Sequence, residues 1–170
     1  HDVGVRHVRL GGMTDTYTYM ADGVRELEYP VPNPEPIAKL LHGLREDERL
    51  GILHTDNGNP SIIAENLEAS EAITKTLVET LSDGAVLSFG LESADPTVHE
   101  ANWLNCDSSQ LKTAIRLINK YGNKRGSRGL PKLLPGLNFI AGLNGETKAS
   151  YQMNLDLLHE IRREGLLLRR

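Results

Sequence analysis

The side chains best suited to chemistry follow short apolar runs, where strands are expected to end. Glu92 and Ser93 come after the run Ala85–Phe89, and Asp15 follows an earlier run that closes with two glycines. A third run leads into Leu137–Thr147, which again contains glycines and then an acid. Because ligand-binding groups of α/β proteins lie at the carboxyl ends of parallel strands, these three strand ends are expected to form one site.

A second set of polar residues follows another short apolar run. His54, Asp56 and Asn57 lie at its end and are expected to line the substrate side of the cavity. With His7 and Asp15 they supply residue types that bind metals, so a metal-dependent barrel hydrolase is one alternative. The sequence contains no HxH or HExxH spacing, however, and no metal ligand is assigned.

Strand and helix patterns alternate along the chain, which predicts an α/β fold with parallel strands and right-handed crossovers. Strands are predicted at Val5–Leu10, Leu50–Thr55, Ala85–Phe89 and Leu133–Ala141, with a fifth beginning at Leu166–Leu168. Helices are predicted from Asn33 or Glu35 to Glu46, across Ser61–Leu81 in two pieces, and at Pro96–Asn102, Ser108–Tyr121 and Glu146–Glu164. Gly122 is expected to stop the helix that begins at Ser108.

Four motifs in this order resemble a known family. They are Val8–Asp15 with its glycine pair, Gly90–Ser93, the helix end Asn119–Gly122, and Asn138–Thr147. Together they resemble the second half of the radical S-adenosylmethionine (radical SAM) barrel, in particular the Fe–S oxidoreductase type that carries a C-terminal helix-hairpin-helix. The resemblance implies a partial (β/α) barrel of the TIM type.

The resemblance also implies the chemistry of a longer parent enzyme. In this family a [4Fe-4S] cluster reduces S-adenosylmethionine (SAM), and the resulting 5′-deoxyadenosyl radical abstracts a hydrogen atom from the substrate. The thiolates come from a CxxxCxxC loop, which is absent here, and Cys106 is the single cysteine. Residues 1–170 are therefore expected to be one domain, an internal fragment whose cluster loop precedes His1. The fragment is expected to be inactive alone and to hold no cofactor, and its substrate is not specified by the sequence.

The resemblance assigns each implied site residue to one part of the SAM molecule. Gly11 and Gly12 would offer backbone groups to the methionine ammonium, which the Asp15 carboxylate would attract; Met13 stands where the family often has glutamate. Carboxylate and hydroxyl acceptors at the ribose suit its two hydroxyl donors, and an aliphatic side chain suits the adenine ring. By resemblance, the ribose would contact Glu92 and Ser93, and the adenine would contact Ile140 and Gly142.

A basic, glycine-rich stretch, Lys120–Lys132, favours a second alternative. It could contact RNA, which would make the chain a nucleic-acid or protein interaction module, or it could be a mobile, solvated insertion. The net charge of −4 argues against general affinity for nucleic acid.

Composition narrows the protein class without naming a function. One cysteine fits a reducing compartment, and no apolar run approaches the length of a membrane helix, so a cytoplasmic protein without a membrane partner is predicted. The exposed strand edges predict pairing between two copies or coverage by terminal segments. Trp103 is expected to pack at a helix kink beside the structural Cys106.

Overall fold

The computed structural model describes residues 4–169, in which parallel strands alternate with helices. The strands are β1 (His7–Leu10), β2 (Ile52–Thr55), β3 (Asn57–Gly58), β4 (Ala85–Glu92) and β5 (Leu133–Phe139). The helices are α1 (Pro34–Arg45), α2 (Pro60–Glu65), α3 (Leu67–Thr80), α4 (Pro96–Asn102), α5 (Ser108–Gly122) and α6 (Lys148–Arg163). The mixed α/β class predicted from the sequence is confirmed.

The strands form two small parallel sheets, β1–β2 and β3–β4–β5. One residue, Asp56, separates β2 from β3, and its carbonyl accepts a hydrogen bond from Ser88 N at 2.8 Å. The first sheet therefore leads directly into the second. The strands of the described residues do not close into a barrel.

Alternation along β4 separates a helix-covered face from an open face. Leu87, Phe89 and Leu91 are fully buried beneath the helices, whereas the intervening residues Ser88 and Gly90 are only partly buried. Each buried leucine or phenylalanine stabilises the fold by roughly 1.5–3 kcal/mol relative to an exposed one. On α5, the predicted inward residues Leu111, Ile115 and Ile118 are all fully buried against this face.

Local capping explains why the helices begin where they do. Asn33, Asn59, Asp95, Asp107 and Thr147 each accept a backbone N–H from the first turn of the helix that follows. Such caps typically contribute about 1 kcal/mol each. The predicted bounds of α4 agree with the structure, and the predicted break between α2 and α3 falls at Asn66.

Strands β1, β2 and β5 and helix α6 are each shorter than predicted, and three further predictions need correction. β4 does not break at Gly90 but continues to Glu92, because a bulge accommodates the glycine within the strand. Gly122 is the last residue of α5 and does not adopt a left-handed cap; a Cβ there would overlap the Leu133 carbonyl oxygen. The expected fifth strand, Leu166–Leu168, is irregular, because Leu166 N donates to the Ile161 carbonyl of α6 and Leu167 bonds to the Asn119 side chain.

The segment after α6 nevertheless covers part of the β5 edge. Arg169 N donates to Pro135 O at 2.8 Å, and Leu167 N donates to Asn119 Oδ1 at 2.8 Å. The expected pairing or coverage at the edges Val5–Leu10 and Leu166–Leu168 stays a prediction. Among residues 4–169, no helix is long and apolar enough to span a bilayer.

Candidate functional site

A small polar hollow lies where β3, β4 and β5 end. Its volume is about 250 Å³, and we call it the Glu92 hollow. One carboxylate, several amides and two hydroxyls line it, contributed by Glu92, Asn57, Asn59, Asn105, Asn138, Ser88 and Thr14. Such a lining suits a ligand rich in hydroxyl groups, because carboxylates and amide oxygens accept hydrogen bonds from hydroxyls.

Glu92 occupies an unusual backbone position at the end of β4. Its φ is 67°, in the left-handed region, and the register of the β4–β5 pair shifts between Gly90 and Glu92. A Cβ at position 90 would overlap the end of the Glu92 side chain, so the carboxylate can keep its position over the strand only beside a residue without a Cβ and would otherwise have to move. Left-handed backbone in a non-glycine residue costs of the order of 1–3 kcal/mol and concentrates at functional sites. Burial raises the pKa of Glu92.

The end of β5 places Ile140 directly beside Glu92. Ile140 N donates to the Glu92 carbonyl oxygen at 2.9 Å, and the Ile140 side chain is 48% exposed. The predicted neighbours Glu92 and Ile140 are therefore brought together. Gly142 lies farther along the loop, and its N–H is already used by Glu146 Oε2 at 2.5 Å, which leaves it no free donor.

Ser93 supports the rim rather than facing the hollow. Its hydroxyl is fully buried and accepts a hydrogen bond from Asp95 N at 3.2 Å. Asp95 in turn accepts from Ser150 Oγ at 2.7 Å, and Ala94 N donates to Asn154 Oδ1 at 2.6 Å. The loop after β4 is thereby fastened to α6.

Asp15 joins two loops below the hollow. Its Oδ1 accepts Tyr17 N at 3.1 Å and Asn59 N at 2.9 Å, while its Oδ2 is buried without a hydrogen-bond partner. Burial raises the pKa of Asp15 to about 6 despite these bonds. Thr14, the residue before Asp15, reaches the hollow lining instead.

The glycine pair and Met13 lie outside this lining. Gly11 and Gly12 are exposed, Gly12 has φ of 79°, and Met13 is half-buried. A Cβ on Gly11 would lie 3.6 Å from Asp56 Oδ2, and one on Gly12 would meet nothing within 4 Å. The glycine turn is therefore open on its outer side.

The expected substrate-side residues separate into different environments. Asn57 lines the Glu92 hollow, whereas Asp56 forms an ion pair with Arg9 at 2.5 Å. His54 lies beside the backbone of Ser82, at the opposite end of β4, and burial lowers its pKa. Its Nε2 is buried without a partner.

The residue types that bind metals do not assemble in the described part of the chain. Residues 4–169 contain no group of three or more His, Cys, Asp or Glu placed to hold a metal ion. Cys106 is buried, and burial raises the pKa of its thiol to about 12, so it stays protonated at neutral pH.

The Lys120–Lys132 stretch begins in the last turn of α5, and residues 123–132 form a loop at the amino-terminal end of β4. Asp83 holds it by accepting Arg128 N at 2.9 Å and by an ion pair with Lys132 at 2.8 Å. Arg125 and Pro131 form an antiparallel bridge, which ties the two ends of the loop together. The loop thus lies at the opposite end of the strand from Glu92.

Several site residues were missed by sequence reasoning. Ser88, Asn59 and Asn105 line the hollow, and the alternation along β4 could have placed Ser88 on the open face. Trp103 was expected to be packed, yet it is 90% exposed with φ of 55°. It is the left-handed C-cap of α4, a position whose side chain projects from the helix end.

Comparison with known proteins finds two relatives that cover the whole chain. An uncharacterized protein of Archaeoglobus fulgidus is 42% identical over 173 residues, and an uncharacterized protein of Methanocaldococcus jannaschii is 37% identical over 170 residues. The chain spans about a third of the length of these relatives, 32% and 31% respectively. No family model matches the chain.

Proposed function

We propose that the chain is the SAM-binding part of a radical SAM, Fe–S-dependent enzyme built on a partial TIM-type barrel. The single observation that supports this best is the Glu92 hollow. A carboxylate on left-handed backbone overhangs Gly90 among the strand-end amides, where the sequence resemblance places the ribose.

The residues present fit the nucleoside end of SAM. Glu92 and Asn138 offer acceptors for ribose hydroxyls, and the exposed Ile140 side chain beside them offers an apolar surface for adenine. Because Glu92 is partly desolvated, a hydrogen bond to its carboxylate would be stronger than one in water.

The residues present do not fit the cluster. The only thiol of the chain is buried and protonated, and the described residues offer no alternative set of metal ligands. In the proposed whole enzyme the cluster, which would supply the electron that cleaves SAM, is therefore held by residues outside these 170. This chain contributes binding and orientation.

Nucleoside binding tests the proposal on the chain itself. Calorimetric titration should show that adenosine binds and that 2′,3′-dideoxyadenosine binds at least about tenfold more weakly, because a charged acceptor contributes roughly 1.5–3 kcal/mol to a hydrogen bond. Glu92→Gln should weaken adenosine about tenfold. Gly90→Ala should weaken adenosine by a comparable factor, because its Cβ would displace the Glu92 carboxylate.

The control is Glu79→Gln, a change of the same chemistry at an exposed position of α3. It should leave adenosine affinity unchanged. Equal binding of adenosine and its dideoxy analogue would refute the role of Glu92.

The activity itself is tested on a longer relative. Anaerobically reconstituted full-length Archaeoglobus fulgidus protein should convert SAM to 5′-deoxyadenosine when dithionite is supplied, and not without it. Lack of reductant-dependent product in iron-loaded protein would refute the radical SAM assignment.

A further inference from the structure

A long groove beside the Glu92 hollow is not explained by the function proposed above. It consists of two hollows of about 750 Å³ and 470 Å³ that share Trp103, His99 and Leu104, and we call it the Trp103 groove. The smaller hollow also shares Asn59 and Asn105 with the Glu92 hollow. The groove therefore lies next to the strand-end site.

The backbone conformation of Trp103 is energetically unfavourable, and burial of its side chain does not compensate for it. Its left-handed backbone is one that glycine adopts freely and that other residues adopt at roughly 1–2 kcal/mol. Its indole is 90% exposed, so little of it is buried in return. The backbone N–H groups at this helix end are satisfied, since Trp103 N–H and Leu104 N both donate to the His99 carbonyl oxygen.

The groove combines apolar surface with negative charge. Pro96, Leu104 and the Trp103 ring supply the apolar part, and Tyr29 lies in the smaller hollow. Three carboxylates line the groove, those of Glu28, Glu100 and Asp107. Neither hollow is lined by a lysine or arginine from the part of the chain that is described.

We propose that the Trp103 groove binds an organic cation with an apolar body, such as an alkylguanidinium or alkylammonium group. The face of an exposed indole attracts a cation, and nearby carboxylates add to that attraction. The same carboxylates repel phosphate, which disfavours a nucleotide stacked on the indole. A role for this cation as substrate of the enzyme would rest on the function proposed above, whereas its binding to the groove does not.

A matched pair of probes tests the proposal directly. Hexylguanidinium and hexylurea have nearly the same shape and differ in charge, and phenyl phosphate, which contains no nucleoside, is an anionic aromatic probe. Trp103 is the single tryptophan, so selectively excited tryptophan fluorescence of the unmodified chain reports on this groove. Hexylguanidinium should change the emission saturably, hexylurea should bind at least about tenfold more weakly, and phenyl phosphate should give no saturable change.

Substitutions locate the site by calorimetry. Trp103→Ala should weaken hexylguanidinium about tenfold, and Glu100→Gln about threefold. Met20→Ala is the matched control, because Met20 is also left-handed and 66% exposed but lines neither hollow. Circular dichroism checks that the exposed substitutions leave the fold intact.

The outcomes separate this proposal from the preceding one. Binding of hexylguanidinium that persists in Glu92→Gln, with adenosine binding weakened about tenfold, supports both proposals. Equal affinity for hexylguanidinium and hexylurea, or affinity unaffected by Trp103→Ala, would overturn the cation site whatever adenosine does.

Discussion

Replacement of Asp15 by asparagine should stabilise the protein at neutral pH. Asp15 is 5% exposed, and its Oδ2 has no hydrogen-bond partner. Burial raises its pKa from 3.8 to about 6, so ionisation is less favourable in the folded state than in the unfolded chain. Two pKa units correspond to about 3 kcal/mol of unfolding free energy.

The sign of the pH dependence follows from that shift. The contribution of Asp15 to stability is complete below pH 4, falls as pH rises from about 4 to about 6, and is constant above. The asparagine side chain of the Asp15→Asn variant would not titrate. Its amide oxygen can still accept the N–H groups of Tyr17 and Asn59, so the link between the two loops is kept.

Urea unfolding of both proteins between pH 4 and pH 8 measures the effect. The free energy difference, variant minus parent, should increase by about 3 kcal/mol across this range, or about 6–12 °C in Tm for a chain of this size. Taking this difference cancels the pH-dependent contributions of all carboxylates that both proteins share. A difference that does not change with pH would refute the assignment of the raised pKa to Asp15.

Two further predictions concern packing and the basic loop. Gly122→Ala should lower the unfolding free energy by at least about 2 kcal/mol in urea titrations, because its Cβ would overlap the Leu133 carbonyl. The control is Gly43→Ala, in open space on α1, which should raise the unfolding free energy by about 0.5–1 kcal/mol. Equal effects of the two substitutions would contradict this packing. If the Lys120–Lys132 stretch contacts RNA, retention of the chain on an RNA column should fall as salt is raised, and it should disappear when the exposed basic residues of the stretch are changed to alanine. Absence of retention by the parent chain would remove the interaction-module alternative.

Local signals in the sequence were sufficient for the helices. The Asp95–Pro96 pair predicts the start of α4, since Asp95 caps the helix and proline suits its first turn. Glycines were harder to interpret, because one residue type serves several purposes. Gly90 looked like a strand end and is a bulge, while Gly122 looked like a cap and is a close contact.

The candidate site was predictable only in outline. That Glu92 and Ile140 lie at neighbouring strand ends follows from parallel topology. Which polar residues join them depends on register between strands that are far apart in sequence, so Asn138 and Asn57 had no assigned place beside Glu92. The exposure of Trp103 depends on tertiary packing, because no other element covers its side chain, and a local sequence pattern carries no information about that.

The bonds of Asn119 have a consequence for the ageing of the protein. Its amide group donates to the carbonyls of Ile115 and Leu167, each at 3.0 Å, and its oxygen receives Leu167 N. The Asn119 side chain thus satisfies both backbone polar groups of Leu167, as a paired strand would. Hydrolysis of this amide to a carboxylate would remove both donors and place a negative charge beside two carbonyl oxygens. Slow deamidation at Asn119 would detach Leu167 from α5, and the neighbouring bond from Arg169 N to Pro135 O would lose its support, which would expose backbone groups of β5 to pairing with another strand.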